Sequence, residues 1–168
     1  MTLPFWRTVT VALLRALPAG LLLLAFARRL PQGVWWLRVF ILGALNFSVF
    51  WSMLFVSAYR LPGGAAATVG AVQPLVVVFL AAWVLGSALR PASVLGALAG
   101  LAGVALLVLT PGVRLDATGI AAGLAAAVSM ACGTVLTRKW RAPVPLLTFT
   151  AWQLTAGGLL LLPVALWA

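Results

Sequence analysis

Five stretches of this chain, residues 39–59, 61–89, 91–113, 117–137 and 142–168, each run for more than twenty residues without a charged side chain. An α-helix rises 1.5 Å per residue, so about 20 apolar residues cross a hydrocarbon core of about 30 Å. Each stretch is therefore long enough to span a bilayer. None alternates apolar with polar residues as a barrel strand would. A sixth stretch, residues 8–27, spans only by carrying Arg15 into the membrane. Its uncharged part, residues 16–27, reaches about 18 Å, well short of the core. The first hydrophobic stretch ends in Arg28-Arg29, not in the small-residue site of a cleaved signal peptide.

Composition agrees and narrows the chemistry. Charged residues are 7% of the chain and hydrophobic ones 65%, against about a quarter charged in soluble domains. With no His, one acidic residue (Asp116) and one Cys (Cys132), paired-carboxylate catalysis, a His-centred triad and a multi-ligand metal site all lack their parts. No enzyme activity, metal or cofactor is expected. The formal charge of +10 could suggest a nucleic-acid partner, but the eleven cations punctuate the apolar runs and do not gather on one patch. Cationic punctuation of this kind writes membrane topology, so the partner is a lipid bilayer and no nucleic acid is expected.

The connections are short and rich in turn formers: Leu61-Pro62-Gly63-Gly64, Ser87 to Pro91, and Pro111-Gly112. Six spans joined this tightly are antiparallel neighbours. One side receives Arg28, Arg29, Arg38, Arg90, Arg138, Lys139 and Arg141. The other receives Arg7, Arg60 and Arg114, with Arg15 if it snorkels outward. The larger group belongs in the cytoplasm, with Trp35, Trp36 and Trp140 beside it as interfacial anchors. The chain then starts on the outer side.

A weak internal repeat is visible. Residues 15–24 align with residues 153–162 at one offset, which superposes Gly20 on Gly158, Leu21 to Leu24 on Leu159 to Leu162, and Thr10 on Thr148. The two segments are the first and sixth spans. Five crossings apart, they run in opposite directions, the relation of an inverted repeat.

Several residues are candidates for transport chemistry. Arg15 sits a third of the way into its span, where a guanidinium costs about 2.5 to 3.5 kcal/mol and tends to seek a cavity or partner. Pro18 leaves the Leu14 carbonyl without its usual donor, within reach of Arg15. Simple snorkelling would serve Arg15 equally well. Gln73-Pro74 lies midway along the third span, where the proline should free the Gly70 carbonyl and bend the helix, exposing backbone acceptors as in transporter sites. The alternative is a structural kink. On the second span Ser48, Ser52 and Tyr59 share one face and Asn46 lies nearly opposite. One of these faces should meet the interior, with Asn46 the costlier to leave in lipid. Trp51 and Trp152 could stack on a flat substrate or simply pack. Ser129, Thr134 and Gln153 are weaker pocket candidates. The ladders Gly96-x-x-x-Gly100 and Gly119-x-x-x-Gly123 read as helix-packing surfaces, the first a possible dimer contact.

The stretch from Asn46 through Trp51 and Ser57 to Leu61-Pro62-Gly63-Gly64, followed by Pro74, resembles the third and fourth helices of the EamA-type drug/metabolite transporters. Arg15 with Ala19-Gly20 and the four leucines is similar to that family's second helix, and Gly96 to Leu107 to its fifth. Residues 119–140 and 148–166 resemble helices six and seven. The resemblance implies an all-α membrane protein: six transmembrane helices within a ten-helix bundle of two inverted five-helix repeats. Residues 1–113 would be the first repeat without its first helix, and residues 117–168 the first two helices of the second. It also implies an inner-membrane, multi-pass exporter of a small metabolite, amino acid or drug, working by alternating access. Arg15, Trp51, Asn46, Gln73, Pro74, Ser129 and Gln153 are the expected substrate contacts. Where the family often has a Glu closing its fourth helix, this chain has Ser87. The alternative is a membrane protein or assembly subunit without a complete substrate path.

Overall fold

The structure, a computed structural model, describes residues 5–88, 91–108 and 116–167. Eight α-helices run in the order α1 (Phe5–Ala27), α2 (Trp35–Gly43), α3 (Phe50–Arg60), α4 (Gly63–Gly70), α5 (Gln73–Leu85), α6 (Pro91–Val108), α7 (Ala117–Trp140) and α8 (Leu146–Trp167), with a π-helical segment, Ala44–Val49, joining α2 to α3. There is no strand among the described residues. The π segment makes Trp35–Arg60 one continuous rod, and α4 with α5 make another, Gly64–Leu85. Among the described residues five such rods are long and apolar enough to cross a membrane, and α6 is a shorter apolar helix beside them. The expected turn at Pro111-Gly112, and Arg90 and Arg114, lie outside the described residues.

Local sequence explains several helix ends. Asp116 caps α7 by accepting from the Thr118 amide at 3.1 Å. Gly86 ends α5 at φ +63°, the left-handed turn only glycine adopts freely. The interruption ahead of Pro74 falls at Gly70, the residue whose carbonyl the proline was expected to free, but it is a break where a bend was expected. α4 closes at Ala71 and Val72, whose amides bond back to Ala67, Thr68 and Val69. Pro74 then occupies the first turn of α5, where a missing N–H costs nothing. The span is a helix end and a restart, not a single bent helix.

The packing order follows from which faces are small. α8 lies between α1 and the Trp35–Arg60 rod, and that rod lies between α8 and α7. α7 in turn packs on α4 and α5, with α6 outermost. The buried positions are largely Ala, Gly, Ser, Thr and Gln, among them Ala12, Ala16, Ala122, Ala126, Ala127 and Ala131. Many large apolar side chains point outward, Phe26 at 83% exposed and Trp83 at 84%, although Leu42, Phe149 and Trp152 form a buried cluster. This is the reverse of a soluble core. Lipid is as apolar as leucine, so bulky residues gain nothing by turning inward, while small ones let backbones approach.

The closest approaches are at glycine. A β-carbon on Gly20 would lie 2.6 Å from the Thr155 amide nitrogen, and one on Gly158 would lie 2.9 Å from Leu17 Cα. Gly43 and Gly157 meet in the same way across α2 and α8. Gly119 and Gly123 receive Leu61, Val69 and Ser57, so that ladder is a packing surface. Gly96 has nothing within 4 Å.

The two ends of the bundle differ in charge. The Arg38 guanidinium sits 5.1 Å from the Trp35 ring and 5.4 Å from that of Trp140, bringing the start of α2 beside the end of α7 and its Arg138 and Lys139. At the opposite end Arg60 pairs with Asp116 at 2.9 Å.

Candidate functional site

Asn46 lies in the π segment, at the level where the Trp35–Arg60 rod is enclosed by α7 and α8. Its amide Nδ2 donates to Gln153 Oε1 on α8 at 2.7 Å, a buried bond between side chains 107 residues apart. On its other side Asn46 Oδ1 faces Gly133 of α7 so closely that no β-carbon would fit there. That oxygen is buried and has no partner. Ser129 Oγ, one turn earlier on α7, donates to the Leu45 carbonyl at 2.7 Å. This contact supplies a donor where the π segment alters the helical bonding ladder. Ser48 Oγ donates to the Gly157 carbonyl at 2.8 Å. The expectation that only one face of this rod turns inward is therefore replaced: Asn46, Ser48 and Ser52 are all buried, because the rod has protein on both sides. Tyr59, near its end, is exposed.

The amide pair lines a cleft of about 250 Å³ together with Phe47, Thr134, Thr137 and Arg138. Thr137 Oγ1 is buried there without a partner, while Thr134 Oγ1 returns to the Met130 carbonyl at 2.8 Å. The cleft has one cation, Arg138, and no acid. Once Nδ2–H is shared with Gln153, Asn46 Oδ1 stays packed against Gly133, and the NH₂ of Gln153 remains as a further donor of the pair.

A second pair of expected residues meets beside it. The Arg15 guanidinium lies 5.4 Å from the Trp51 ring centroid, and Trp51 stands edge-on to Phe47 at 5.5 Å. Arg15 itself is exposed, and a cation over an indole face is a stabilising contact. Arg15, Trp51, Asn46, Gln153 and Ser129 thus gather around one stretch of the central rod. Gln73 is half-buried and Pro74 exposed, and neither lines the cleft. Phe47, Thr137 and Arg138 were not among the expected contacts. The spacing Met130, Gly133, Thr134, Thr137 is a helical stripe that could have indicated the α7 wall.

Asp116 accepts from Arg60 and from the Thr118 amide; these bonds, Arg60 first, hold its carboxyl below the usual range. Among the described residues no three His, Cys, Asp or Glu side chains group as a metal site would need.

Residues 1–109 match the EamA-like transporter family. The chain belongs to that family. It is 46% identical over 96% of its length to protein PecM of Dickeya dadantii, covering 55% of that protein. It is 33% identical to a WAT1-related chloroplastic protein of Arabidopsis thaliana, over 97% of the chain and 42% of the relative. With the uncharacterized transporter YvbV of Bacillus subtilis it shares 31% identity over 92% of the chain and 52% of the relative. The chain thus spans about half the length of the curated relatives it matches. No solved structure matches it. Membership in the family makes this all-helical chain a multi-pass membrane protein of the drug/metabolite transporter superfamily.

Proposed function

We propose that the chain forms part of a secondary transporter that exports a small polar metabolite, amino acid or drug across the inner membrane by alternating access. The observation that carries this reading is the buried Asn46–Gln153 amide pair in a cleft between α7, α8 and the central rod. Buried polar groups inside a membrane bundle are costly and tend to mark substrate paths.

The contacts between α1 and α8 support the inverted-repeat part of the proposal. Gly20 approaches Thr155, and Gly158 approaches Leu17. At the offset that superposes Gly20 on Gly158, Leu17 superposes on Thr155. The two close contacts are therefore equivalents, as a two-fold axis between the helices requires. On this reading residues 1–113 belong to one repeat and residues 117–168 to the other. Asn46 and Gln153 come from different repeats, so rocking one against the other would open or close their bond. The open Gly96 face of α6 suits a homodimer contact.

The test is reconstitution from the complete reading frame into liposomes, with a flux screen over amino acids and drugs. Gln153→Leu should insert normally and lose at least about tenfold in flux, the loss expected when a buried polar partner is left unpaired. Undiminished flux in that variant removes the amide pair from the path. No flux from the unaltered protein favours a membrane subunit without a complete path.

A further inference from the structure

Two cavities adjoin at the basic end of the bundle and share no lining residue with the amide cleft. One, of about 510 Å³, is lined by Arg28, Arg29, Gln32, Trp35 and Val144. The other, of about 180 Å³, is an apolar groove running deeper between α1, α2 and α8, with Leu24, Val39, Phe40 and Ala156 along it. Leu30 and Trp152 belong to both. The floor of the groove (Val39, Trp152, Ala156) is buried, while its rim (Leu30, Trp36, Leu159) is exposed, so the groove opens sideways where lipid would lie.

The basic part is held in place. Arg28 takes a left-handed conformation, φ 48°, directly after α1. Its amide bonds to the Leu24 carbonyl at 2.9 Å. The indole Nε1 of Trp152 donates to the Arg29 carbonyl at 2.6 Å, tying the loop to α8. Neither arginine has an acid to pair with. The chain contains one acidic residue, Asp116, and it is bound to Arg60 at the other end. Deeper in the groove lies Thr155, whose Oγ1 is buried without a partner. It sits three residues, about 4.5 Å along the axis, below Trp152.

We propose that this pair of cavities binds one anionic phospholipid, its phosphate on Arg28 and Arg29 and one acyl chain in the apolar groove. The vertical order of groups fits: two guanidiniums at the interface and hydrocarbon-lined space below. Guanidinium pairs recognise phosphate through charge-assisted bonds, and basic pockets at the cytoplasmic face of helix bundles attract anionic headgroups.

Native mass spectrometry of the detergent-purified full chain tests this, with phosphatidylglycerol and phosphatidylcholine of identical acyl chains. The expected result is one phosphatidylglycerol retained in preference to phosphatidylcholine. Each arginine should contribute about fivefold, so Arg28→Gln with Arg29→Gln should lower that preference about 25-fold. Lys139→Gln removes the same charge as either arginine alone, at the same end but outside both cavities, and should leave the preference intact. Equal retention of the two lipids by the unaltered chain overturns the proposal without recourse to any variant. So does competition by inorganic phosphate or glycerophosphoglycerol at the lipid's own concentration, which would show that the site reads phosphate without the acyl chain. Loss of preference in Lys139→Gln to the extent expected of one arginine would reduce the effect to bulk charge, and also overturns it.

Discussion

Gly133 is the position where one added methyl group meets the functional site directly. Its β-carbon would occupy the space of Asn46 Oδ1, so Gly133→Ala must displace the amide and disturb its bond to Gln153. Overpacking of this kind costs about 1 to 3 kcal/mol. Thermal unfolding in detergent should show that loss, and an Asn46→Ala background should remove most of it, since the colliding atom is gone. Equal costs in both backgrounds would place the collision elsewhere. Asp116 carries the pH dependence among the described groups outside the spans. Its carboxyl is held below the ordinary range by Arg60 and the Thr118 amide, so the folded state favours the ionised form. The stabilisation is fully present above the ordinary carboxylate value and is lost as pH falls through the depressed one. The stability gap between the unaltered chain and Asp116→Asn should therefore hold from neutrality down to about pH 4 and close below it.

At the scale of elements, glycine decides which helices touch. Gly20→Ala places a β-carbon against the backbone of α8, which cannot move aside as a flexible side chain could. α1 and α8 should separate, and unfolding should come earlier by about 1 to 3 kcal/mol. Gly103→Ala is the contrasting case. Nothing lies within 4 Å of its added carbon, and alanine is the better helix former by about 0.5 to 1 kcal/mol, so stability should hold or rise. If the two substitutions behaved alike, close helix approach would not be what joins α1 to α8. The helices themselves were legible from uninterrupted apolar runs, while the caps at Asp116 and Gly86 emerged only with the structure. The π segment at Ala44–Val49 was not, because Leu45-Asn46-Phe47 carries no propensity signal for it. It exists where Ser129 of α7 and Gln153 of α8 reach the rod from either side. The interruption at Gly70 was legible because Pro74 frees the carbonyl four residues before it, but that the chain breaks and restarts there, and does not merely bend, was not.

Across the whole molecule, the basic loops should share one face of the membrane. Single cysteines at Arg28 and Arg138, in a Cys132→Ser background, should label from the cytoplasmic side with an impermeant maleimide, and one at Arg60 from the other side. Labelling of Arg28 and Arg138 from opposite sides would break the antiparallel reading. The aromatic belt expected at this end is present as a contact, with Arg38 lodged against Trp35 and Trp140. Gln73 shows the limit of inference at this scale. Its place in the middle of a span made it a plausible site residue, yet its rod packs on α7 away from the cleft.

Membrane residence, the positions of the apolar helices and the shortage of acid–base chemistry were all legible in the sequence alone. Each follows from local quantities: run length, charge placement and residue type. The partnership of Asn46 with Gln153, of Arg15 with Trp51, and of Ser129 with the Leu45 carbonyl was decided only in the tertiary structure. In a bilayer, burial of apolar area cannot tell one helix face from another, so the faces that meet are those where glycine permits contact and polar groups find one another. Those meetings join residues about a hundred positions apart, and no local pattern encodes them.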